Sequence, residues 1–269
     1  MRGALLGGAV GDALGAGIEF KSLAQIRDRF GPLGVADYVE AYGRRGAITD
    51  DTQMTLFTAE GLIRAAVRLE TKGICHPPSV IHHAYLRWLL QQGEASPIET
   101  STDGWLYDAL HQQGPRAPGL TCLAALRAAE RFGAPAVARN NSKGCGGVMR
   151  VAPVGLFAAR LNGDAAVFGL ASEVAALTHG HPTGHLAAGY FAVVIAALLD
   201  RVPLFGALER ADAALAAYPQ GEEVKAAVAA ARALASRGPP DPEALETLGG
   251  GWVADEALAI SVACALTAE

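Results

Sequence analysis

Along most of the chain the apolar residues return every three to four positions, the period of a helix that buries one face. The pattern predicts helices over 3–14, 51–70, 79–92, 120–131, 147–159, 164–177, 182–200, 205–217, 221–236 and 253–267. In 51–70, Met54, Phe57, Gly61, Ala65 and Leu69 share one face and Leu56, Ile63 and Val67 lie opposite, so packing on two sides is expected. Its remaining stripe carries Glu60, Arg64 and Arg68 four apart, acid first, the order that supports a helix. The stretch 182–200 is apolar all round, as a core helix is, and its uncharged run 186–199 is short for a bilayer span. Gly3, Gly7, Gly11 and Gly15 recur every fourth residue, and for the first three a close helix contact is expected.

Residues 35–42 read as a loop or a short extended piece, and no other segment reads as a strand. Gly133 with Pro135, and the Pro-rich stretch 238–242, break the helical pattern. Nothing repeats at a fixed period and no low-complexity linker divides the chain. The fold class expected is all-α, as one compact multi-helix domain over 1–269.

Composition narrows the function. With 269 residues, 51% of them hydrophobic, the chain can bury one large core. Charged residues make up 18%, the net charge is −5, and no stretch concentrates Lys and Arg. That speaks against a nucleic-acid groove and a basic membrane face. Cys75, Cys122, Cys145 and Cys264 stand far apart with no Cys-x-x-Cys pair, which suits a reducing compartment. Asp12 interrupts the glycine-dense apolar opening, so a signal peptide is not expected and a cytoplasmic location is.

Three stretches could carry chemistry. The first, ITDDTQM over 48–54, places two acids where a helix begins. A capping box, with Asp50 as cap and Gln53 reaching back, uses only one of them. The alternative is a hard divalent cation, for which Thr49, Asp50 and Asp51 offer three oxygens within one turn. The second is NNSKGCGGVMR over 140–150. Its glycines 144, 146 and 147 before a helix could form an anion nest, with Lys143 and Arg150 adding charge, or an ordinary turn. The third, THGHPTGH over 178–185, holds three of the seven histidines. No Glu follows His181, so the zinc-protease pattern fails, and Pro182 is placed to open a helix. A helix-entry turn, or one histidine touching a ligand, are the two readings left.

In this order the segments GALLGGAVGDALGAGIEF, ITDDTQMTLFTAEGLI, NNSKGCGGVMRVAPVGLF, LTHGHPTGHLAAGYFA and GGGWVADEALA resemble the ADP-ribosylglycohydrolase family, over residues 3 to about 265. The resemblance implies an all-α fold with a central cleft, two Mg²⁺ or Mn²⁺ ions, and removal of ADP-ribose from a modified protein or a small ADP-ribosyl substrate. It implies Thr49, Asp50 and Asp51 as metal ligands and Glu19, with the two aspartates, as candidate catalytic carboxylates. It implies Ser142, Gly144, Gly146, Gly147 and Met149 around the diphosphate, and His179 near the distal ribose or phosphates.

Two departures stand out. The family's second metal motif, Gly-Asp-x-Asp-Thr/Ser, has no counterpart, since the chain contains no Asp-x-Asp. At most one ion, held weakly, and hydrolysis that is slow or undetectable are therefore expected. Cys145 replaces the Asn of a Gly-Asn-Gly seen in many relatives. A nucleotide-binding module without turnover is the rival expectation.

Overall fold

A computed structural model describes residues 1–111, 113–130, 135 and 137–268. The expected end of the helix near 131 and the break at Gly133 lie outside them. The elements in chain order are α1 (Arg2–Gly15), α2 (Leu23–Phe30), β1 (Glu40–Ala41), β2 (Arg44–Arg45), α3 (Asp50–Lys72), α4 (Pro77–Gln91), α5 (Trp105–His111) and α6 (Leu120–Arg127). They continue with α7 (Ala152–Leu156), α8 (Gly163–Ala176), α9 (Pro182–Leu199), α10 (Leu204–Leu215), α11 (Glu222–Ala235), α12 (Pro242–Glu246) and α13 (Ala254–Thr267). The fold is all-α, as its periodicity predicts. Among the described residues the paired strands are those of a small antiparallel hairpin, turned by Tyr42 and Gly43, both at positive φ.

The core is built around α9, which packs against α7, α8, α10 and α13. The whole helix, 18 residues, is long and apolar enough to cross a bilayer by length and composition alone, while the uncharged run 186–199 is only part of it; two-thirds of the helix is buried within the fold. A second pair, α3 with α4, closes the other side. A Cβ on Gly61 would lie 2.8 Å from the Ile81 Cα, so only glycine permits that crossing.

Two packing expectations fail. Met54, Phe57, Gly61 and Ala65 of α3 are buried, but Ile63 and Val67 are 64% and 53% exposed, and Leu69 is also exposed. Helix α3 therefore packs on two sides only near its start, and its second half emerges with one covered face. The periodicity recorded residue types, not which neighbour would arrive. Likewise, a Cβ on Gly3, Gly7 or Gly11 would meet nothing within 4 Å. The stripe faces open space, and α1 meets α3 and α7 through its other side. The Glu60 and Arg64 stripe does form a pair at 2.9 Å, and the buried Arg87 of α4 adds a second cation at 2.7 Å from Glu60.

Candidate active site

The first turn of a helix leaves backbone N–H groups without partners, and at α3 each of them can be traced. Thr49, the N-cap, donates its N–H to the Asp12 carboxylate of α1, at 2.8 and 3.0 Å. Asp50 N–H reaches the Arg116 carbonyl at 2.9 Å, and Asp51 N–H reaches Thr49 Oγ1 at 3.3 Å. Thr52 N–H goes to Asp12 Oδ2 at 3.2 Å. Both threonine hydroxyls also lie on Asp12, Thr49 Oγ1 at 2.7 Å and Thr52 Oγ1 at 2.5 Å.

This is not the capping box that the sequence suggests. Gln53 is turned inward, its Oε1 accepting from Trp88 Nε1 and Gln92 Nε2. Because a carboxylate from another helix does the capping, neither Asp50 nor Asp51 is needed for it. The Asp50 carboxylate accepts the Gly119 N–H at 3.1 Å, and Asp51 Oδ2 lies 2.9 Å from the Thr49 hydroxyl.

Asp12, Glu19, Asp50 and Asp51 thus gather around one helix start, and among the described residues none of them forms a salt bridge. Burial, then the charges of Asp51 and Asp12, push the Glu19 carboxyl up to about 7. Burial, then Asp51, raise Asp50 to about 8, and burial with Asp12 raises Asp51. Glu19 Oε2 is buried with no hydrogen-bond partner. Anions crowded in this way favour a proton or a cation among them.

They open on a cleft of about 490 Å³. Asp12, Glu19, Thr49 and Asp51 form its acidic wall, while Cys145, Val148, Met149, Phe191, Trp252 and Leu258 give it apolar surface. Among the described residues no Lys, Arg or His lines it. At the same end Phe20 and Trp252, 68% and 53% exposed, stack with ring centroids 5.7 Å apart.

The 140–150 stretch is built differently from a nest. No single helix runs over 147–159; a 3₁₀ turn (Val148–Arg150), α7 and a second 3₁₀ turn (Ala158–Arg160) take its place. Pro153 lacks the N–H that a continuous helix would need. Gly144, Gly146 and Gly147 are not among the glycines at positive φ. Two of them are required by close approach: a Cβ on Gly146 would stand 3.0 Å from Cys122 Sγ and His179 Cε1, and one on Gly147 2.8 Å from the Gly184 carbonyl. The loop is joined to the start of α13 by a bridge between Gly144 and Val253, with Cys145 N–H on the Trp252 carbonyl at 3.0 Å.

The expected flanking cations are turned away as well. Lys143 pairs with Glu223 at 2.9 Å. Arg150 is fully buried, donating to Val174 O and Thr178 Oγ1 with its guanidinium 4.3 Å from the Tyr85 ring centroid.

Of the residues implied by resemblance, Glu19, Thr49, Asp51 and Met149 line the cleft. Asp50 sits behind Asp51, with its carboxylate on the Gly119 amide. Ser142, Gly144, Gly146 and Gly147 belong to the loop beside the cleft rather than to its lining. His179 is buried under that loop, its Nδ1 2.8 Å from Thr178 Oγ1, and burial followed by Arg150 holds it down to about 3. His181 caps α9 through Nδ1 with Pro182 as first residue, the helix-entry arrangement.

Asp12, Phe20 and Trp252 were missed in sequence. The one available signal was Asp12 itself, a carboxylate inside an otherwise apolar run.

The donor chemistry suits a hard divalent ion: carboxylates and a hydroxyl, with one buried carboxylate oxygen unpartnered. The set is incomplete, because among the described residues no three His, Cys, Asp or Glu side chains converge closely enough to hold one ion. A protein-family model described as ADP-ribosylglycohydrolase matches residues 1–269. No curated protein matches the chain.

Proposed function

Because the chain belongs to the ADP-ribosylglycohydrolase family, we propose that its acidic cleft hydrolyses the N- or O-glycosidic bond of ADP-ribose on a modified side chain or a small ADP-ribosyl substrate. The observation that carries this reading is Glu19, lining the cleft with an unpartnered buried oxygen and a carboxyl lifted to about 7. A group so placed is half ionised near neutrality, which suits the transfer of a proton to or from water.

Cleavage at the anomeric carbon passes through an oxocarbenium-like state, and the negative wall of Asp12 and Asp51 stabilises the positive charge that develops there. Glu19 takes the proton of the attacking water; Asp51, beside it, is the second carboxylate in reach. Thr49, Asp50 and Asp51 would hold Mg²⁺ or Mn²⁺, at most one and weakly. When bound, such an ion supplies neutralisation of the carboxylates and polarisation of sugar hydroxyls.

Met149 contacts the substrate from the apolar side, and the diphosphate lies toward the loop carrying Ser142, Gly144, Gly146 and Gly147, where the Ser142 and Gly144 N–H groups are already taken by Asn140 Oδ1 and Ser142 Oγ. His179 supports that loop from beneath, in the neutral form. The protein works in the cytoplasm on this reading, with no nucleic-acid or membrane partner.

One observation favours a second reading, an ADP-ribose-binding module without turnover: among the described residues the acids do not converge on an ion. Incubation with ADP-ribosyl-arginine and ADP-ribosyl-serine, with and without Mn²⁺, separates the two. Release of free ADP-ribose supports hydrolysis; tight binding without release supports the module.

A further inference from the structure

The Thr49 hydroxyl has one hydrogen and two carboxylate oxygens within hydrogen-bond distance, Asp12 Oδ1 at 2.7 Å and Asp51 Oδ2 at 2.9 Å. Only one of them can receive it. Asp12 cannot turn away, because the Thr49 and Thr52 N–H groups and the Thr52 hydroxyl fix both of its oxygens. The shorter contact, to this immobile acceptor, takes the hydrogen. The lone pairs of Thr49 Oγ1 are then left for the Asp51 N–H and for the cleft side, where Asp51 Oδ2 stands.

We infer that Asp12 is a positioning residue of the site: by accepting the Thr49 hydroxyl hydrogen and capping α3 from α1, it turns the Thr49 lone pair toward the cleft. It also leaves the Asp51 carboxylate free beside that oxygen. The inference rests on the reading of Thr49, Asp50 and Asp51 as the ion-holding turn. In that role Asp12 touches neither ion nor substrate. It works through Thr49, as an outer hydrogen-bond partner orients a ligating group. A purely capping Asp12 would instead contribute to stability alone, so the two roles separate in ion affinity.

The test is a Mn²⁺ titration followed by electron paramagnetic resonance, with circular dichroism to verify the fold. Asp12→Asn, which keeps the shape but not the paired acceptors, should weaken Mn²⁺ binding by roughly 10- to 100-fold. In a Thr49→Val background the same substitution should cost much less, since the hydroxyl through which it acts is gone and only the loss of its charge remains. Thr52→Val, which removes a hydroxyl from the cap and leaves Thr49 intact, should lower Tm and leave Mn²⁺ affinity unchanged. An Asp12→Asn protein that binds Mn²⁺ like wild type overturns the inference while the ion site stands. So does an equal loss in both Thr49 backgrounds, or a loss in Thr52→Val that matches it. Wild-type protein that binds no Mn²⁺ overturns the ion-holding turn itself, and the role of Asp12 with it.

Discussion

Glu19 faces Asp51 across the acidic wall of the cleft, and the charge of Asp51 adds to burial in lifting the Glu19 carboxyl to about 7. The two carboxylates come from different elements, one from the turn after α1 and one from the first turn of α3. Asp12 ties those elements together by accepting the Thr49 and Thr52 N–H groups.

That coupling has a pH signature. In metal-free protein the Glu19 carboxyl should titrate near 7, as read by carbon NMR of its side chain, and Asp51→Asn should lower its midpoint. Added Mg²⁺ should lower it too, since a cation favours the ionised form. If Glu19 is the base, activity rises with pH through its midpoint. Glu19→Gln should flatten that rise and slow turnover by about 10²- to 10⁴-fold with Tm preserved.

Asp50 should cost the metal-free protein stability. Its folded value of about 8 lies above the ordinary 3.8, so the folded state holds a proton that the unfolded chain has lost. Stability therefore falls as pH rises through the window from about 4 to about 8. The buried His179 and His82 act oppositely: held down to about 3 and about 4, they add stability as pH rises toward 6.5. Asp50→Asn should raise the metal-free Tm at about pH 8 and lessen the fall of Tm between about pH 4 and 8, part of which Glu19, also raised, still supplies. Calorimetry across pH 4 to 9 checks the sign.

The buried Arg150 should be irreplaceable. Its guanidinium is held by a carbonyl, a hydroxyl, two sulfurs and a tyrosine face, with no carboxylate among the described residues. Arg150→Lys keeps the charge but loses the planar fork that meets these groups together. Arg150→Ala leaves a cavity and unpaired polar partners, a loss of about 3–5 kcal/mol by analogy with large core truncations. Chemical denaturation should rank wild type above both variants; equal midpoints would contradict the account.

The aromatic pair at the cleft mouth should act on binding rather than on the chemical step. Trp252→Ala removes an exposed face on which a planar ring of the substrate can stack, worth about 1–3 kcal/mol where rings stack on aromatic side chains. KM should rise with kcat nearly unchanged. A fall in kcat at constant KM would assign Trp252 to the reacting centre instead.

Much of this was legible from residue patterns, and the failures have physical reasons. All-round apolarity in 182–200 marks α9 because a central helix has no solvent face. The doubled acid at 50–51 singles out the start of α3, where Asp51 lines the cleft, because a cap needs only one. What periodicity cannot carry is the identity of the neighbour. Ile63 and Val67 match the helical period and are exposed, and the Gly3, Gly7 and Gly11 stripe meets nothing. Asp12 caps a helix 37 residues away, a relationship that no local motif encodes. Arg150 looked like a substrate cation by its place beside glycines. One 3₁₀ turn rotates it into the core.

The most direct test of the central claim is release of free ADP-ribose from ADP-ribosyl-arginine and ADP-ribosyl-serine in the presence of Mn²⁺, comparing wild type with the Asp50→Asn, Asp51→Asn double variant. The account predicts release by wild type from at least one substrate, and its loss in a double variant that keeps its helical content and gains thermal stability without metal. Equal release by the two proteins, or no release by wild type from either substrate, would contradict it.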